Sequence, residues 1–190
     1  MSAHPIEIPV PGLVVLIGAA GAGKSTLAGR LFAPDEVLSS DALRAAVSGD
    51  AADQRATRTA FGILHREVRR RLAAGRLVVV DATNVERAAR LPLLRLARAA
   101  GVPALAIAVV PSAAEVQARN AGRAERVVPT EVVDRHLDRL AALGATGVAI
   151  AAVLRAEGFT AVRVLSSADE IEAASVRRNA RAGGPEPISR

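Results

Sequence analysis

A glycine-rich loop directly follows the first apolar, β-branched run of the chain, and it constrains the fold more than any other feature. The run Leu13–Ile17 leads into Gly18-Ala-Ala-Gly21-Ala-Gly23-Lys24-Ser25-Thr26, which matches G-x-x-x-x-G-K-[ST]. Glycines let the backbone wrap closely around an anion, so that successive N–H groups and the start of the next helix face a phosphate. The pattern therefore predicts a strand, a phosphate-binding loop and a helix, in that order.

The loop and the first turn of its helix are expected to bind ATP. Lys24 should reach the β- and γ-phosphates, and the Ser25 hydroxyl should ligate Mg²⁺. The alternative is a chance glycine turn beside a surface lysine, which the full match in its expected context disfavours. The predicted ATP-binding residues of this segment are Gly18, Gly21, Ala22, Gly23, Lys24, Ser25 and Thr26.

Short apolar runs alternate with helical stretches along the whole chain. Such alternation predicts an α/β fold, with a parallel sheet covered by helices on both faces. Apolar residues at helical spacing from Ala60 to Leu72 indicate one of these helices. The predicted strands are Leu13–Ile17, Glu36–Leu38, Leu77–Val80, Ala104–Val110 and Ala161–Leu165.

Later segments give further expectations about the helices. A helix should follow Asn84 as its N-cap and run to about Ala100, with Pro92 either kinking it or marking a late start. Residues 121–129 resemble a loop, Thr130–Leu143 returns to helix, and the alanine-rich Gly144–Gly158 segment suggests a buried helix.

A chain of 190 residues suits one domain. We expect this domain over residues 1–175, with a lid over about 113–143. From Val176 the sequence lacks an apolar pattern and predicts a disordered tail.

Asp81 ends the apolar run LVVVD at the predicted carboxyl edge of the third strand. At that place a carboxylate can hold Mg²⁺, directly or through water, as in a Walker B motif. The same position also suits an aspartate that caps the next helix. Both interpretations stay open from the sequence, and Asp81 is our candidate metal residue beside Ser25.

Asp41 and Arg44 follow the second predicted strand and would share one face of a helix at i,i+3. A carboxylate near the strand edge can accept the proton of an attacking hydroxyl, and an arginine can hold an anionic group of the acceptor. Asp41 as a helix N-cap explains the same spacing equally well.

Three arginines are spaced to form one positive stripe on a helix before Pro129, namely Arg119, Arg123 and Arg126. On a mobile helix they could neutralise charge on a transferring phosphoryl group. A solvated polar face would have the same spacing. Among the histidines, His65 suggests a half-buried structural residue, and neither His136 nor His4 is assigned a role.

Composition excludes several classes of protein. The absence of cysteine rules out disulfides and cysteine-ligated metals and is typical of a cytoplasmic protein. No apolar stretch reaches the roughly 20 residues of a membrane span. With three phenylalanines as the only aromatics, a row of rings for stacking bases is absent. The net charge of +6, carried almost wholly by arginine, fits an anionic partner or simply a biased composition.

Four segments together resemble a known family. They are VVLIGAAGAGKSTLA, VLSSDALR, LVVVDATNV and VQARNAGRAER. They are similar to the polynucleotide 5′-kinase module of bacterial RNA end-healing and end-sealing proteins, a branch of the AAA-type P-loop phosphotransferases. The resemblance covers roughly residues 11–177.

The resemblance implies a P-loop NTPase fold with strand order 2-3-1-4-5 and a helical lid. It implies Asp41 as general base on a 5′-OH end of RNA or DNA, Arg44 as contact to the acceptor's terminal phosphate, and Arg119 as contact to ATP phosphate. Lys24 and Arg119 would stabilise the transfer, and Arg123 and Arg126 match less firmly. In the family the kinase precedes phosphatase and ligase modules, so this chain would be a stand-alone relative or an excised domain, with possible separate phosphatase and ligase partners.

Two other functions fit the same residues. P-loop kinases of small-molecule hydroxyls, such as sugars, nucleotide sugars or antibiotics, share the phosphate loop and often the base. A regulatory ATP-binding protein would need the loop without any acceptor. The sequence does not distinguish RNA from DNA and does not indicate an oligomeric state.

Overall fold

The computed structural model of the chain describes residues 4–48, 54–122 and 127–180. The strands, numbered in chain order, are β1 (Ile6–Val10), β2 (Gly12–Ile17), β3 (Val37–Ser39), β4 (Leu77–Asp81), β5 (Ala104–Val109), β6 (Ala161–Leu165) and β7 (Val176–Ala180). The helices are α1 (Lys24–Leu31), α2 (Ser40–Ser48), α3 (Gln54–Ala73), α4 (Arg87–Ala99), α5 (Ala113–Ala121), α6 (Thr130–Ala141), α7 (Gly147–Glu157) and α8 (Ala168–Ala173).

Five of the strands form one parallel sheet in the order β3-β4-β2-β5-β6. Counted along the five predicted strands, this order is 2-3-1-4-5, so both the α/β prediction and the strand order are confirmed. Every residue of the central strands β2, β4 and β5 is buried. Their continuous apolar runs are what a parallel sheet flanked by helices requires, since neither face meets water.

A second, two-stranded parallel sheet joins the two ends of the described chain. In it Ile6 pairs with Val176 and Val10 with Ala180. The prediction of disorder from Val176 is therefore wrong for Val176–Ala180, while residues 181–190 lie outside the described part. The reason is that β7 is ordered by its pairing with β1, whose Ile6 and Ile8 are buried in the core.

The N-cap predicted at Asn84 is also wrong. Helix α4 begins three residues later with Glu86 in the cap position, and Pro92 lies inside it. Asn84 instead has a positive φ of 48° and is buried, and its amide donates to the Leu16 carbonyl, 2.8 Å away, at the end of β2. Asn tolerates this left-handed conformation better than most residues. Its side-chain amide ties the segment after β4 to the end of β2.

Arg90 on α4 is fully buried and donates hydrogen bonds to one carboxylate and to two backbone carbonyls. Its guanidinium makes a bidentate pair with Glu157 of α7 at 2.7 and 2.6 Å. One nitrogen also donates to the carbonyls of Asn84 and Val85, both at 2.8 Å. The ion pair thus fixes the loop between β4 and α4 against a helix from the far side of the chain.

The alanine-rich segment after residue 143 forms α7, but only one face of this helix is buried. Ile150, Ala151 and Leu154 face the core, whereas Val148 is 81% exposed. The prediction of a buried helix is therefore wrong for its outer face. The helix packs on β6, the edge strand of the five-stranded sheet.

In the described part of the chain, no helix combines the length and apolarity needed to cross a membrane.

Replacing Glu157 by Ala should lower the free energy of unfolding by about 3–5 kcal/mol, because the buried Arg90 charge would lose its counter-ion. Asp35→Ala is the matched control. It breaks the exposed pair with Arg76, which should cost about 1 kcal/mol or less. Urea denaturation monitored by circular dichroism measures both. Similar small losses for the two variants would show that the Arg90 pair does not brace the fold.

Candidate active site

The glycine-rich loop between β2 and α1 has the backbone that the motif predicts. Gly21 and Gly23 have φ angles of 88° and 98°, a region that residues with a Cβ rarely adopt. A Cβ on Gly21 would come within 2.8 Å of the Val116 carbonyl oxygen on α5. Gly21 therefore lets the loop pass directly beneath α5, while the buried Ala22 continues the loop towards the helix.

Hydrogen bonds hold the glycine-rich loop at both of its ends. The Gly18 N–H donates to the Thr83 carbonyl at 2.9 Å, which joins the loop to the segment after β4. Lys24 is the first residue of α1, and its side chain is 7% exposed with Nζ donating to the Ala19 carbonyl at 2.8 Å. Its ammonium group thus lies folded over the loop. Thr26 is exposed in the same first turn of α1.

Ser25 and Asp81 meet at the carboxyl edge of the sheet. The Ser25 Oγ donates to Asp81 Oδ2 at 2.7 Å, and Asp81, the last residue of β4, is 5% exposed. Helix α4 starts well beyond Asp81, so the alternative of a helix cap is wrong.

This pair fits a magnesium ion. A hydroxyl and a carboxylate oxygen within one hydrogen bond of each other are ligands that Mg²⁺ takes together with waters and phosphate oxygens. Among the described residues, no group of three or more His, Cys, Asp and Glu could hold a metal. Ser25 and Asp81 would hold such an ion jointly with the phosphate oxygens of a bound nucleotide.

Asp41 and Arg44 lie in the first turns of α2, next to the carboxyl end of β3. The Arg44 guanidinium forms an ion pair with Asp41, and the Asp41 side chain is 65% exposed. Asp41 stands inside the helix, and the Ser39 hydroxyl accepts from the Ala42 N–H near the helix start. The N-cap alternative for Asp41 is therefore wrong, which leaves its carboxylate accessible.

Helices α5 and α6, the segment expected to act as a lid, lie against the phosphate loop. Arg119 of α5 reaches the Ala22 carbonyl, with Nη1 at 3.4 Å, so its guanidinium lies beside the phosphate loop. Asn120 is buried and both donates to and accepts from the Val128 backbone, at 2.7 and 3.1 Å. Asn120 thereby closes the connection between the two lid helices. Arg123 and Arg126 lie outside the described residues.

One cleft of about 230 Å³ lies beside the phosphate loop. The phosphate loop contributes Lys24 and Ser25 to its lining, the sheet edge Asp81, and α2 the Asp41–Arg44 pair. Phe61 of α3 also lines it, as do Val128 and, from α6, Val132 and His136.

His136 is the residue that sequence analysis missed. Its Nδ1 lies 3.4 Å from the Ala20 N–H of the phosphate loop, which can donate to it. Burial lowers the pKa of His136, and the nearby Lys24 and Arg135 lower it further, against a smaller opposite effect of Glu86. Val132 stands one helical turn before His136 on α6, so the spacing alone could have shown that both residues share one face of the helix.

The AAA domain family matches residues 13–143, which is more than half of the chain. The chain belongs to the AAA domain family. A comparison with the curated proteins finds no matching sequence.

Several solved structures share the fold. A chain of the Pnkp1/Rnl/Hen1 RNA repair complex superposes with a TM-score of 0.62 at 20% identity, covering 74% of this chain and 46% of that one. A gluconokinase from Sinorhizobium meliloti 1021 gives 0.53 at 18% identity, over 87% and 90%. Chaetomium thermophilum Kti12 in complex with ADP-AlF3 gives 0.55 at 19%, over 84% and 93%.

These similarities confirm the predicted P-loop kinase fold. The family implies nucleotide binding, and the glycine-rich loop is the candidate site for it. The chain spans less than half the length of the repair-complex chain that it matches, and nearly the full length of the other two.

Replacing Gly21 by Ala should lower the free energy of unfolding by about 1–3 kcal/mol, because the new Cβ meets α5 and the backbone is left-handed. Gly29→Ala within α1 is the matched control. A Cβ there meets nothing within 4 Å, so helix propensity should raise stability by about 0.5–1 kcal/mol. Urea unfolding curves of both variants check this. A neutral Gly21→Ala would show that loop and lid are not in contact.

Proposed function

We propose that this AAA domain is an ATP-dependent polynucleotide 5′-hydroxyl kinase, which transfers the γ-phosphate of ATP to the 5′-OH end of RNA or DNA. The observation that carries the proposal is the Asp41–Arg44 pair on the wall of the same cleft as Lys24, Ser25 and Asp81. A carboxylate beside a guanidinium suits an acceptor that offers a hydroxyl and, close to it, a phosphate.

Residues of the cleft and Arg119 of α5 divide the work of an in-line transfer. Asp41 accepts the proton of the 5′-hydroxyl, the hydroxyl oxygen forms a bond to the γ-phosphorus, and the bond from the γ-phosphorus to the bridging oxygen of ADP breaks. Lys24 of the phosphate loop and Arg119 of α5 stabilise the charge on the phosphoryl oxygens. When bound, Mg²⁺ on Ser25 and Asp81 would supply further neutralisation of the phosphates.

A kinase of small-molecule hydroxyls is the second candidate. It is favoured by the comparison with a gluconokinase, which this chain covers almost fully, whereas it covers under half of the repair-complex chain. A neutral sugar acceptor would have no phosphate for Arg44. A requirement for a phosphate on the acceptor therefore separates a nucleic-acid end from a neutral sugar.

Asp41→Asn should lower kcat by about 10²–10⁴-fold while ATP affinity is retained, because only the proton acceptor is lost. The measurement is transfer of labelled γ-phosphate from ATP with Mg²⁺ to short 5′-OH RNA and DNA and to a panel of sugars. Arg155→Ala is the control, since Arg155 is exposed on α7 at the opposite edge of the sheet.

Three outcomes of this experiment count against the proposal. Labelling of sugars alone would favour the second candidate. Transfer that persists in Asp41→Asn would remove Asp41 as the base. ATP binding with no acceptor labelled at all would favour a regulatory ATP-binding protein.

Arg44→Ala should raise KM for a phosphate-bearing acceptor by on the order of tenfold or more, since a charge-assisted hydrogen bond is lost. The sharpest comparison uses a nucleoside 3′-phosphate and the matching nucleoside, which differ only in that phosphate. Wild type should prefer the former, and Arg44→Ala should lose the preference. If the variant keeps the preference, Arg44 does not bind the acceptor phosphate.

A further inference from the structure

His136 stands in the cleft at the meeting point of lid and phosphate loop. Helix α6 buries Val133 and Leu140 in the core, and this fixes the adjacent face, with Val132 and His136, towards the cleft. The imidazole is half-buried, with Nδ1 at 3.4 Å from the Ala20 nitrogen. No role in phosphate binding follows from the motif for any residue of α6, so this contact is a separate observation.

The partner of His136 is an N–H group of the phosphate loop. Ala20 belongs to the run of backbone amides that face a bound phosphate in such loops. A phosphate oxygen is a stronger acceptor for an N–H than a neutral ring nitrogen, because charge-assisted hydrogen bonds are roughly twice as strong. A bound nucleotide would therefore take Ala20 N–H from His136 and place an anionic oxygen next to the imidazole.

The charges around the ring favour this exchange. Without an anion, burial and the positive charges of Lys24 and Arg135 favour the neutral ring, against Glu86. A phosphoryl group brings negative charge to the same space, where an imidazole N–H can donate to it. Asp41, Arg44 and Asp81 line the cleft as well and complete the set of charged groups there.

We propose that His136 is the lid's ligand for the terminal phosphoryl group of the bound nucleoside triphosphate: the nucleotide takes the Ala20 N–H from Nδ1, and the Nε2–H of the ring donates to a phosphoryl oxygen. The terminal group is indicated because His136 lines the cleft together with Asp41 as well as Lys24. This inference rests on the proposed function only in requiring a nucleoside triphosphate at the loop. It does not depend on the acceptor.

The test compares binding of ADP with that of a non-hydrolysable ATP analogue, both with Mg²⁺, by isothermal titration calorimetry. His136→Ala should weaken the analogue on the order of tenfold, the loss expected for one charge-assisted hydrogen bond. ADP affinity should stay within about twofold, since no terminal phosphoryl group is present. Asp138→Asn, an exposed position on the same helix, is the control and should change neither affinity.

Two conservative variants separate a phosphoryl ligand from a residue that only closes the lid. Gln places a donor near the position of Nε2, and Asn places an acceptor near that of Nδ1. His136→Gln should restore part of the affinity for the analogue, whereas His136→Asn should not. Full recovery by His136→Asn would overturn the proposal, because accepting from Ala20 would then suffice.

Further outcomes of these measurements test the role of His136 and separate it from the proposed acceptor. Equal weakening of ADP and analogue, or no weakening of either by His136→Ala, would overturn the role at the terminal phosphoryl group. Thermal unfolding of each variant verifies that the lid is folded. These measurements contain no acceptor, so a failure to label 5′-OH ends would overturn the proposed acceptor alone. A wild-type chain that binds neither nucleotide would overturn both proposals.

Discussion

The fully buried guanidinium of Arg90 is the contact on which the carboxyl edge of the sheet depends. It joins α4 to Glu157 of α7 and holds the carbonyls of Asn84 and Val85. Asn84 in turn bonds the end of β2, where the phosphate loop begins. A charge buried this deeply is tolerated only when every donor finds a partner. The need to satisfy Arg90 therefore fixes the loop that leads away from Asp81.

With this edge fixed, residues distant in sequence converge without large loops. Parallel strands all end on the same side of a sheet, so β2, β3 and β4 deliver the phosphate loop, α2 and Asp81 to one place. The lid then approaches closely because Gly21 has no side chain to keep α5 away. The cleft forms because the parallel strands end at one edge and because Gly21 lacks a Cβ. The side chains at those strand ends then determine which chemistry the cleft can perform.

The sequence predicted what local patterns determine. The bounds predicted for the last strand of the main sheet, Ala161–Leu165, match those of β6. Lys24 is the one lysine of the chain, and its other permanently cationic side chains are arginines. A compact ammonium suits the loop in a way that the guanidinium fork does not. What local patterns cannot show was missed. β7 depends on β1, which is far away in sequence, and Asn84 was mistaken for a cap because burial, not helix spacing, decides its bonds.

The acceptor cannot be inferred from the fold, because a gluconokinase and an RNA repair chain share it at similar identity. Only the side chains that line the cleft can decide, and beside the phosphate loop and the sheet edge they lie on α2, α3 and the lid. The cleft wall formed by Asp41, Arg44 and Phe61 combines a base, a cation and one aromatic face. A neutral sugar would use only the first of these, whereas the end of a nucleic acid offers a hydroxyl, a phosphate and a planar base to all three.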